Sequence, residues 1–98
     1  MRLRILESAK EDLIDGFHFY EKQAPGLGTY FLDSLFADID SLTIYAGIHS
    51  KIYGSSRALA KRFPFAIYYD RHDDEVQVHA VLDCRRQPSW IRNRLQGT

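Results

Sequence analysis

The stretch that decides the fold is Arg62-Phe63-Pro64-Phe65-Ala66-Ile67-Tyr68-Tyr69, followed by Val76 to Leu82 and then by Arg85-Arg86. The first part is rich in aromatic and β-branched residues, which favour strands. The second part belongs to an alternating segment, Glu75 to Asp83. Its alternation predicts one face with Val76, Val78, Ala80 and Leu82 and another with Gln77, His79 and Val81. The two parts together predict a β-hairpin from which a pair of arginines emerges.

Weaker strand patterns lie on either side of this hairpin. Arg57 to Arg62 is predicted to be a strand, with Leu59 as its main apolar anchor. Pro64 has no N–H for a sheet, so we expect it at a strand start, an edge or a bulge. Ile48 to Ser56 is interpreted as a loop because it contains Gly54-Ser55-Ser56. Met1 to Leu6 alternates and predicts a short N-terminal strand.

Helical patterns fill the first half of the chain. Ser8 and Glu11 have the spacing of a capping box, and the helix after them ends before Pro25. A second helix is predicted from about Leu27 or Thr29 to about Tyr45. The predicted apolar stripes are Leu13, Ile14, Phe17 and Tyr20 in the first helix and Phe31, Leu35, Ile39 and Leu42 in the second. Because the connection is short, the two helices should pack as an antiparallel hairpin.

A last short helix is predicted to begin at Pro88, with Trp90, Ile91 and Leu95 on its apolar side. The order of elements is then strand, two helices, three strands and a helix. This order predicts an α+β fold, with the helices on one face of a mostly antiparallel sheet of three to four strands. Residues 1–98 are predicted to form a single domain, since their number suits one small domain.

Composition limits the kind of protein. The chain has one cysteine, Cys84, which rules out an internal disulfide framework and fits a reducing compartment. It has no apolar run near the roughly 20 residues of a membrane span, and its N-terminus lacks the apolar core of a signal peptide. We therefore predict a cytoplasmic protein with no membrane association.

Charge is divided unevenly along the chain. Residues 1–50 hold four Lys or Arg and eight Asp or Glu, whereas residues 51–98 hold nine basic and five acidic residues. After Asp83 there are four arginines and no acid. A basic C-terminal half suggests an acidic or polyanionic partner, although a solvated basic end is an equal alternative.

Several short motifs, in their order and spacing, resemble the RelE/ParE superfamily of toxins from type II toxin–antitoxin modules, often called plasmid stabilisation proteins. The motifs are Glu11-Asp12-Leu13, Gly26-Leu27-Gly28 with Phe31, Arg57, Leu59, Arg62 to Phe65, Ile67-Tyr68-Tyr69, Ala80-Val81-Leu82, Arg85 to Pro88, and Trp90. The resemblance covers nearly the whole chain. It implies a helical hairpin against a twisted sheet, and a cognate antitoxin that wraps the toxin in a homo- or hetero-oligomer.

Members of the superfamily have one of two activities, and individual residues of this chain indicate which one to expect. RelE-like members are metal-independent ribonucleases that cut mRNA on the ribosome, whereas ParE-like members inhibit DNA gyrase. RNA cleavage needs an acid–base pair and cations around the phosphate. If the chain is a nuclease, the candidate catalytic residues are His79, Tyr68, Arg85 and Arg86, with Asp83 as a further acid–base group.

Two positions depart from the nuclease pattern. Ala66 stands where ribonucleolytic relatives usually carry an arginine, and Trp90 stands where they usually carry Tyr or His. The ending Arg-Arg-x-Pro-x-Trp, Arg85 to Trp90, looks more like the ParE branch. We therefore predict a gyrase-inhibiting toxin that blocks growth, with a ribosome-dependent mRNA endonuclease as one alternative and a diverged, non-toxic antitoxin-binding member as another.

The predicted target- or antitoxin-binding residues are Arg57, Lys61, Arg62, Arg85, Arg86 and Trp90. Arg85 and Arg86 have an even alternative, which is pairing with Asp83 or with sheet-edge carbonyls. No cofactor is predicted. No metal is predicted either, because none of the four histidines has a partner at ligand spacing.

Overall fold

The computed structural model describes residues 1–96, so Gly97 and Thr98, which the single-domain prediction includes, lie outside the described residues. Its elements are β1 (Arg2–Ile5), α1 (Glu7–Glu21), α2 (Leu27–Asp40), α3 (Leu42–Tyr45), β2 (Lys51–Ile52), β3 (Ser55–Leu59), β4 (Phe65–His72), β5 (Glu75–Asp83) and α4 (Pro88–Gln96). The predicted α+β class is confirmed. No helix within the described range is long and apolar enough to cross a bilayer.

The sheet has five strands in the order β1-β5-β4-β3-β2. β1 runs parallel to β5, and all other neighbours are antiparallel. The sheet exceeds the predicted three to four strands because β2 lies in the segment that we interpreted as a loop. Tyr53 and Gly54 both have positive φ, 52° and 86°, which is the geometry of a two-residue hairpin turn between β2 and β3.

The helical hairpin depends on glycines where α1 and α2 approach each other. Gly26 has a φ of 87°, and Gly26 N and Gly28 N both donate to the carboxylate of Glu21. A Cβ on Gly16 would lie 2.5 Å from the Phe31 ring, so only glycine allows this packing distance. The apolar stripe predicted for the second helix is buried, although its last member lies in α3, and its residues are at most 1% exposed: Phe31, Leu35, Ile39 and Leu42.

Two details of the helices differ from the prediction. The predicted second helix is divided at Ser41 into α2 and the single turn α3. The Ser41 hydroxyl donates to the Asp38 carbonyl at 2.6 Å. Ile14 is 54% exposed and does not belong to the buried face of α1. That face instead contains residues spaced by four, three and four positions: Ala9, Leu13, Gly16 and Tyr20.

Apolar side chains form a cluster on each side of the sheet. The larger cluster lies under α1 and α2, and the smaller one lies under α4, where Ala66, Tyr68, Ala80, Leu82 and Ile91 are buried. β5 contributes apolar side chains to both clusters, and its register shifts along the strand: Tyr68 pairs with Ala80, whereas Tyr69 pairs with Val78.

This β-bulge corrects the predicted faces of β5. His79 is the extra residue, so the alternation reverses there and the side chains after it point to the opposite faces. Val76, Val78 and Val81 belong to the larger cluster under α1 and α2, whereas Ala80 and Leu82 belong to the smaller cluster under α4.

β3 also differs from its prediction. It ends at Leu59 rather than Arg62, and Leu59 is 62% exposed. The buried residue of this strand is its neighbour Ala58, which is 6% exposed. The prediction that Leu59 anchors the strand was wrong, because the odd-numbered side chains of β3 do not face the large core.

Candidate protein-binding site

Two loops meet at the end of the sheet where β4 begins and β5 ends. Phe65 pairs with Asp83, and Cys84 N donates to the Pro64 carbonyl at 2.8 Å. The first loop carries Lys61 and Arg62 and the second carries Arg85 and Arg86. The fold therefore gathers these predicted binding residues at one end of the sheet, and all four are exposed.

Arg85 is held within its own loop. Its Nε and Nη2 donate to the two carboxylate oxygens of Asp83 at 3.0 and 2.7 Å, and its backbone N donates to the same carboxylate. Hydrogen bonds from Arg85 hold the pKa of the Asp83 carboxyl below its ordinary value, although burial opposes them. The alternative of an Arg85–Asp83 pair is thus what the structure contains.

Arg86 has a different environment. Its guanidinium carbon lies 4.2 Å from the centroid of the Trp90 ring, which is a cation–π contact. Trp90 is 38% exposed and occupies the first turn of α4. The two side chains form one exposed surface that is both cationic and aromatic, a composition typical of residues that contribute strongly to protein binding.

Arg57 lies on β3, beside the second loop. Its Nη2 is 3.7 Å from Cys84 Sγ. Burial lowers the pKa of Arg57, but bonding to the Tyr68 hydroxyl and to Cys84 outweighs burial, so the net pKa is raised. Arg57 is half-buried and Tyr68 is only 2% exposed, so both groups mainly join β3, β4 and the end of β5.

His79 is remote from the loop after β5 that carries Arg85 and Arg86, here called the arginine loop. It lies four residues before Asp83 in an extended strand, which corresponds to about 13 Å. Its Nε2 is 3.3 Å from Asp70 Oδ2, close enough for an ion pair but outside hydrogen-bond geometry. In the part of the chain that the structure describes, His79 does not share one phosphate-sized space with Arg85 and Arg86. Among residues 1–96, no three metal-ligating side chains converge either.

Ser8 and Asp12 have a structural role that the sequence analysis did not predict, since both bond the edge of β5. β1 ends opposite Val78, so the outer edge of β5 is open beyond that point. Ser8 Oγ donates to the His79 carbonyl at 2.6 Å, and Val81 N donates to Asp12 Oδ2 at 3.0 Å. The predicted capping box is wrong, because α1 begins at Glu7 and the Ser8 hydroxyl bonds the sheet.

Arg94 joins α4 to the same carboxylate. Its Nη1 and Nη2 donate to the two oxygens of Asp12, both at 2.7 Å, and Nη2 also reaches the Ser8 carbonyl at 3.3 Å. Hydrogen bonding to Asp12 is the main reason that the pKa of Arg94 is raised. A bidentate pair of this kind fixes orientation as well as distance, so it holds α4 in place.

A groove of about 310 Å³ lies between α1 and α4 along the edge of β5. Phe19, 52% exposed, forms part of the α1 side, and Trp90 with Arg86 forms the α4 side. Val81 and Leu82 are also in its lining. The groove is suited to apolar side chains from another protein, with a cation at its rim.

The fold has a counterpart among solved structures. No protein-family model and no curated protein sequence matches this chain. A chain from the chromosomal ParDE TA system of P. aeruginosa has a similar structure, with a TM-score of 0.74 and 19% sequence identity. The match covers 83% of this chain and 92% of the other. It shows that the two chains share a fold, which confirms the fold implied by the sequence resemblance.

Proposed function

We propose that this chain is the toxin of a type II toxin–antitoxin module and that its target is DNA gyrase. The observation that carries the first part is the structural likeness to a chain of a ParDE system, which extends over most of both chains. The likeness is consistent with motifs spread along the sequence, from Glu11 to Trp90.

The geometry of the site supports gyrase over RNA cleavage as the target. A nuclease needs its acid–base groups and cations within reach of one reacting phosphate. Tyr68 is buried, His79 is far from the arginine loop, and Arg85 is engaged by Asp83. Ala66 is fully buried and offers only a methyl group. Protein binding requires only an exposed surface with fixed side chains, and Arg86 and Trp90 form such a surface.

The groove between α1 and α4 is the proposed antitoxin site. An antitoxin segment that places apolar side chains between Phe19 and Trp90 would cover Arg86 at the same time. Antitoxin binding would then hide the target-binding surface directly.

A gyrase cleavage assay tests this proposal. Purified protein is incubated with supercoiled plasmid, gyrase and ATP, and the expected result is linear DNA after detergent and protease treatment. The double variant Arg85→Ala, Arg86→Ala and the single variant Trp90→Ala should each lower the yield by about tenfold or more, since exposed Arg and Trp anchors often contribute over 1.4 kcal/mol.

Arg92→Ala is the matched control, because Arg92 is an exposed arginine on the same helix and should leave cleavage unchanged. A parallel reaction with ribosomes and mRNA, followed by primer extension, separates the alternatives. Ribosome-dependent cuts without DNA cleavage would replace gyrase by mRNA as the target. A protein that harms neither system nor bacterial growth, yet binds the product of a neighbouring gene, would be a non-toxic antitoxin-binding member.

A further inference from the structure

A second groove, also of about 310 Å³, lies at the end of β4 that is remote from the arginine loop. Strand register builds one wall of it. Lys51 of β2 is paired with Ser56 of β3, and Ser56 is paired with Tyr69 of β4. Directly paired residues carry their side chains on the same face of the sheet, and Arg71, two positions after Tyr69, shares that face. The sheet therefore presents two cations and two hydroxyl groups to this groove.

The loop between α3 and β2 forms the opposite wall and positions two of these groups. Gly47 has a φ of 102°, and a Cβ there would lie 3.0 Å from Arg71 Nη1, so the guanidinium lies against the loop backbone. His49 Nδ1 is 2.6 Å from the hydroxyl of Tyr69, which is fully buried. When this hydroxyl donates to Nδ1, the neutral imidazole carries its proton on Nε2 and can donate to a ligand.

The two cations of the groove have no carboxylate partner within residues 1–96. The ion pairs of that range involve neither Lys51 nor Arg71. Asp70 also lines the groove, but its carboxylate lies 3.3 Å from His79 Nε2, and adjacent strand positions point to opposite faces. Two unpaired cations beside neutral hydrogen-bond donors are suited to an anion with two negative charges.

Size and the surrounding charges limit what this anion can be. The groove is near the lower limit of small-molecule pockets, which is about 300 Å³. Asp73 and Asp74, both exposed, follow directly in the turn after β4, so they would repel the successive phosphates of a nucleic-acid strand. A phosphate monoester carries about −1.5 to −2 charges at pH 7, which two cations match, whereas a nucleic-acid phosphodiester carries a single negative charge.

We propose that this groove binds the phosphate group of a small phosphate monoester. The Lys51 ammonium and the Arg71 guanidinium pair with the phosphate oxygens, and the Ser56 hydroxyl and the His49 ring donate further hydrogen bonds. The proposal goes beyond the proposed function, because this groove shares no lining residue with the Arg86–Trp90 surface. Failure of the gyrase assay would leave it unaffected, and failure of the test below would leave the proposed toxin activity unaffected.

The test is a titration of the isotope-labelled full chain with ribose 5-phosphate at constant ionic strength, followed by amide NMR. Saturable shifts should appear at Gly47, His49, Lys51 and Arg71, with half-saturation near about 1 mM. Inorganic phosphate should shift the same amides, and ribose alone should shift none, because the phosphate group is what the groove recognises. The dinucleotide uridylyl-uridine, whose phosphate is a diester, should bind at least about fivefold more weakly, since it offers less charge to the same cations.

Substitutions of the two cations separate a built site from general attraction of anions. Lys51→Ala and Arg71→Ala each remove an exposed cation and should weaken binding by about fivefold or more. Arg71→Lys keeps the charge but lacks the planar fork of donors, so it should weaken binding less than Arg71→Ala does. Lys22→Ala, at an exposed lysine after α1, is the matched control and should bind like the parent chain.

Three results would overturn the proposal. The first is the absence of saturable shifts at these amides with about 20 mM ribose 5-phosphate. The second is equal or tighter binding of the dinucleotide, which would assign the groove to nucleic acid. The third is unchanged binding by Lys51→Ala and Arg71→Ala.

Discussion

Two carboxylates of the helical hairpin, Asp12 of α1 and Asp38 of α2, accept backbone N–H groups at opposite ends of the strand order. The two contacts differ in how many elements they join. On the β5 side, Ser8, Asp12 and Arg94 together bond the strand edge and the last helix. On the β3 side, the Asp38 carboxylate accepts a backbone N–H from Lys61. In each case a carboxylate from a helix reaches a strand edge, but only Asp12 also pairs with an arginine.

The difference shows what an ion pair adds to a helix–strand contact. Asp12 has a side chain only 9% exposed, so its charge needs a partner, and Arg94 supplies one while attaching α4. Asp38 attaches no further element. We therefore expect the Asp12 contact to stabilise the fold more than the Asp38 contact does.

The largest effect should come from making the same substitution at both carboxylates. Asp12→Ala removes the acceptor for Val81 N and leaves Arg94 unpaired, so we expect a loss of about 3 kcal/mol in the free energy of unfolding. Asp38→Ala removes one acceptor and should lose about 1 kcal/mol. Urea denaturation of both variants measures the difference.

Glu7→Ala is the control for helix charge, because Glu7 is 83% exposed and pairs with Lys10 at the surface. Its loss should be within about 0.5 kcal/mol of zero. Equal losses for Asp12→Ala and Asp38→Ala would show that the ion pair contributes nothing beyond the hydrogen bond, and the contrast between the edges would then fail.

A smaller effect is expected from the other end of the pair. Arg94→Gln keeps a donor for Asp12 but removes the charge, so about 2 kcal/mol should be lost. Trp90 is the chain's one tryptophan and lies on the same helix, so its fluorescence reports the position of α4. Acrylamide should quench it more strongly in the variant. Unchanged quenching together with a lower stability would mean that Arg94 does not position α4.

The sequence predicted the fold where apolar spacing determines it. The α2 stripe, the strand from Glu75 to Asp83 and the helix from Pro88 all follow from spacing or proline chemistry. The β5 edge was missed because its signal is non-local: Ser8 and Asp12 stand four apart on a helix that follows a strand, and Arg94 is 82 residues from Asp12. Equally, no pattern in the sequence predicts that a bulge at His79 reverses the faces of β5.

The arginine loop was predicted at the level of residue type but not of role. Two adjacent arginines look alike in sequence, yet Arg85 bonds Asp83 and Arg86 stacks on Trp90. Only the path of the loop after β5 decides which of them faces its own carboxylate. The candidate catalytic residues for a nuclease do not meet in the fold, because His79 lies in the middle of β5 and Tyr68 is buried under α4.

A pH titration isolates the Arg85–Asp83 pair. Because the pKa of Asp83 is lowered in the folded chain, the pair stabilises the fold above the ordinary carboxyl pKa of about 3.9 and loses this effect as pH falls through the folded value. The melting temperature of Arg85→Gln should therefore be slightly below that of the parent chain at pH 7, and the gap should close in acid. A gap that widens in acid would contradict the assigned sign.

The smallest effect on stability is expected at Leu59, an exposed position of β3. Leu59→Ala changes an exposed side chain, so stability should change by less than about 0.5 kcal/mol. Leu42→Ala is the matched substitution in the core, since Leu42 is 1% exposed, and it should lose about 2 to 5 kcal/mol by creating a cavity. Thermal or urea unfolding of the two variants compares them directly. A loss at Leu59 as large as that at Leu42 would contradict the assignment of Ala58, rather than Leu59, as the residue that anchors β3 in the core.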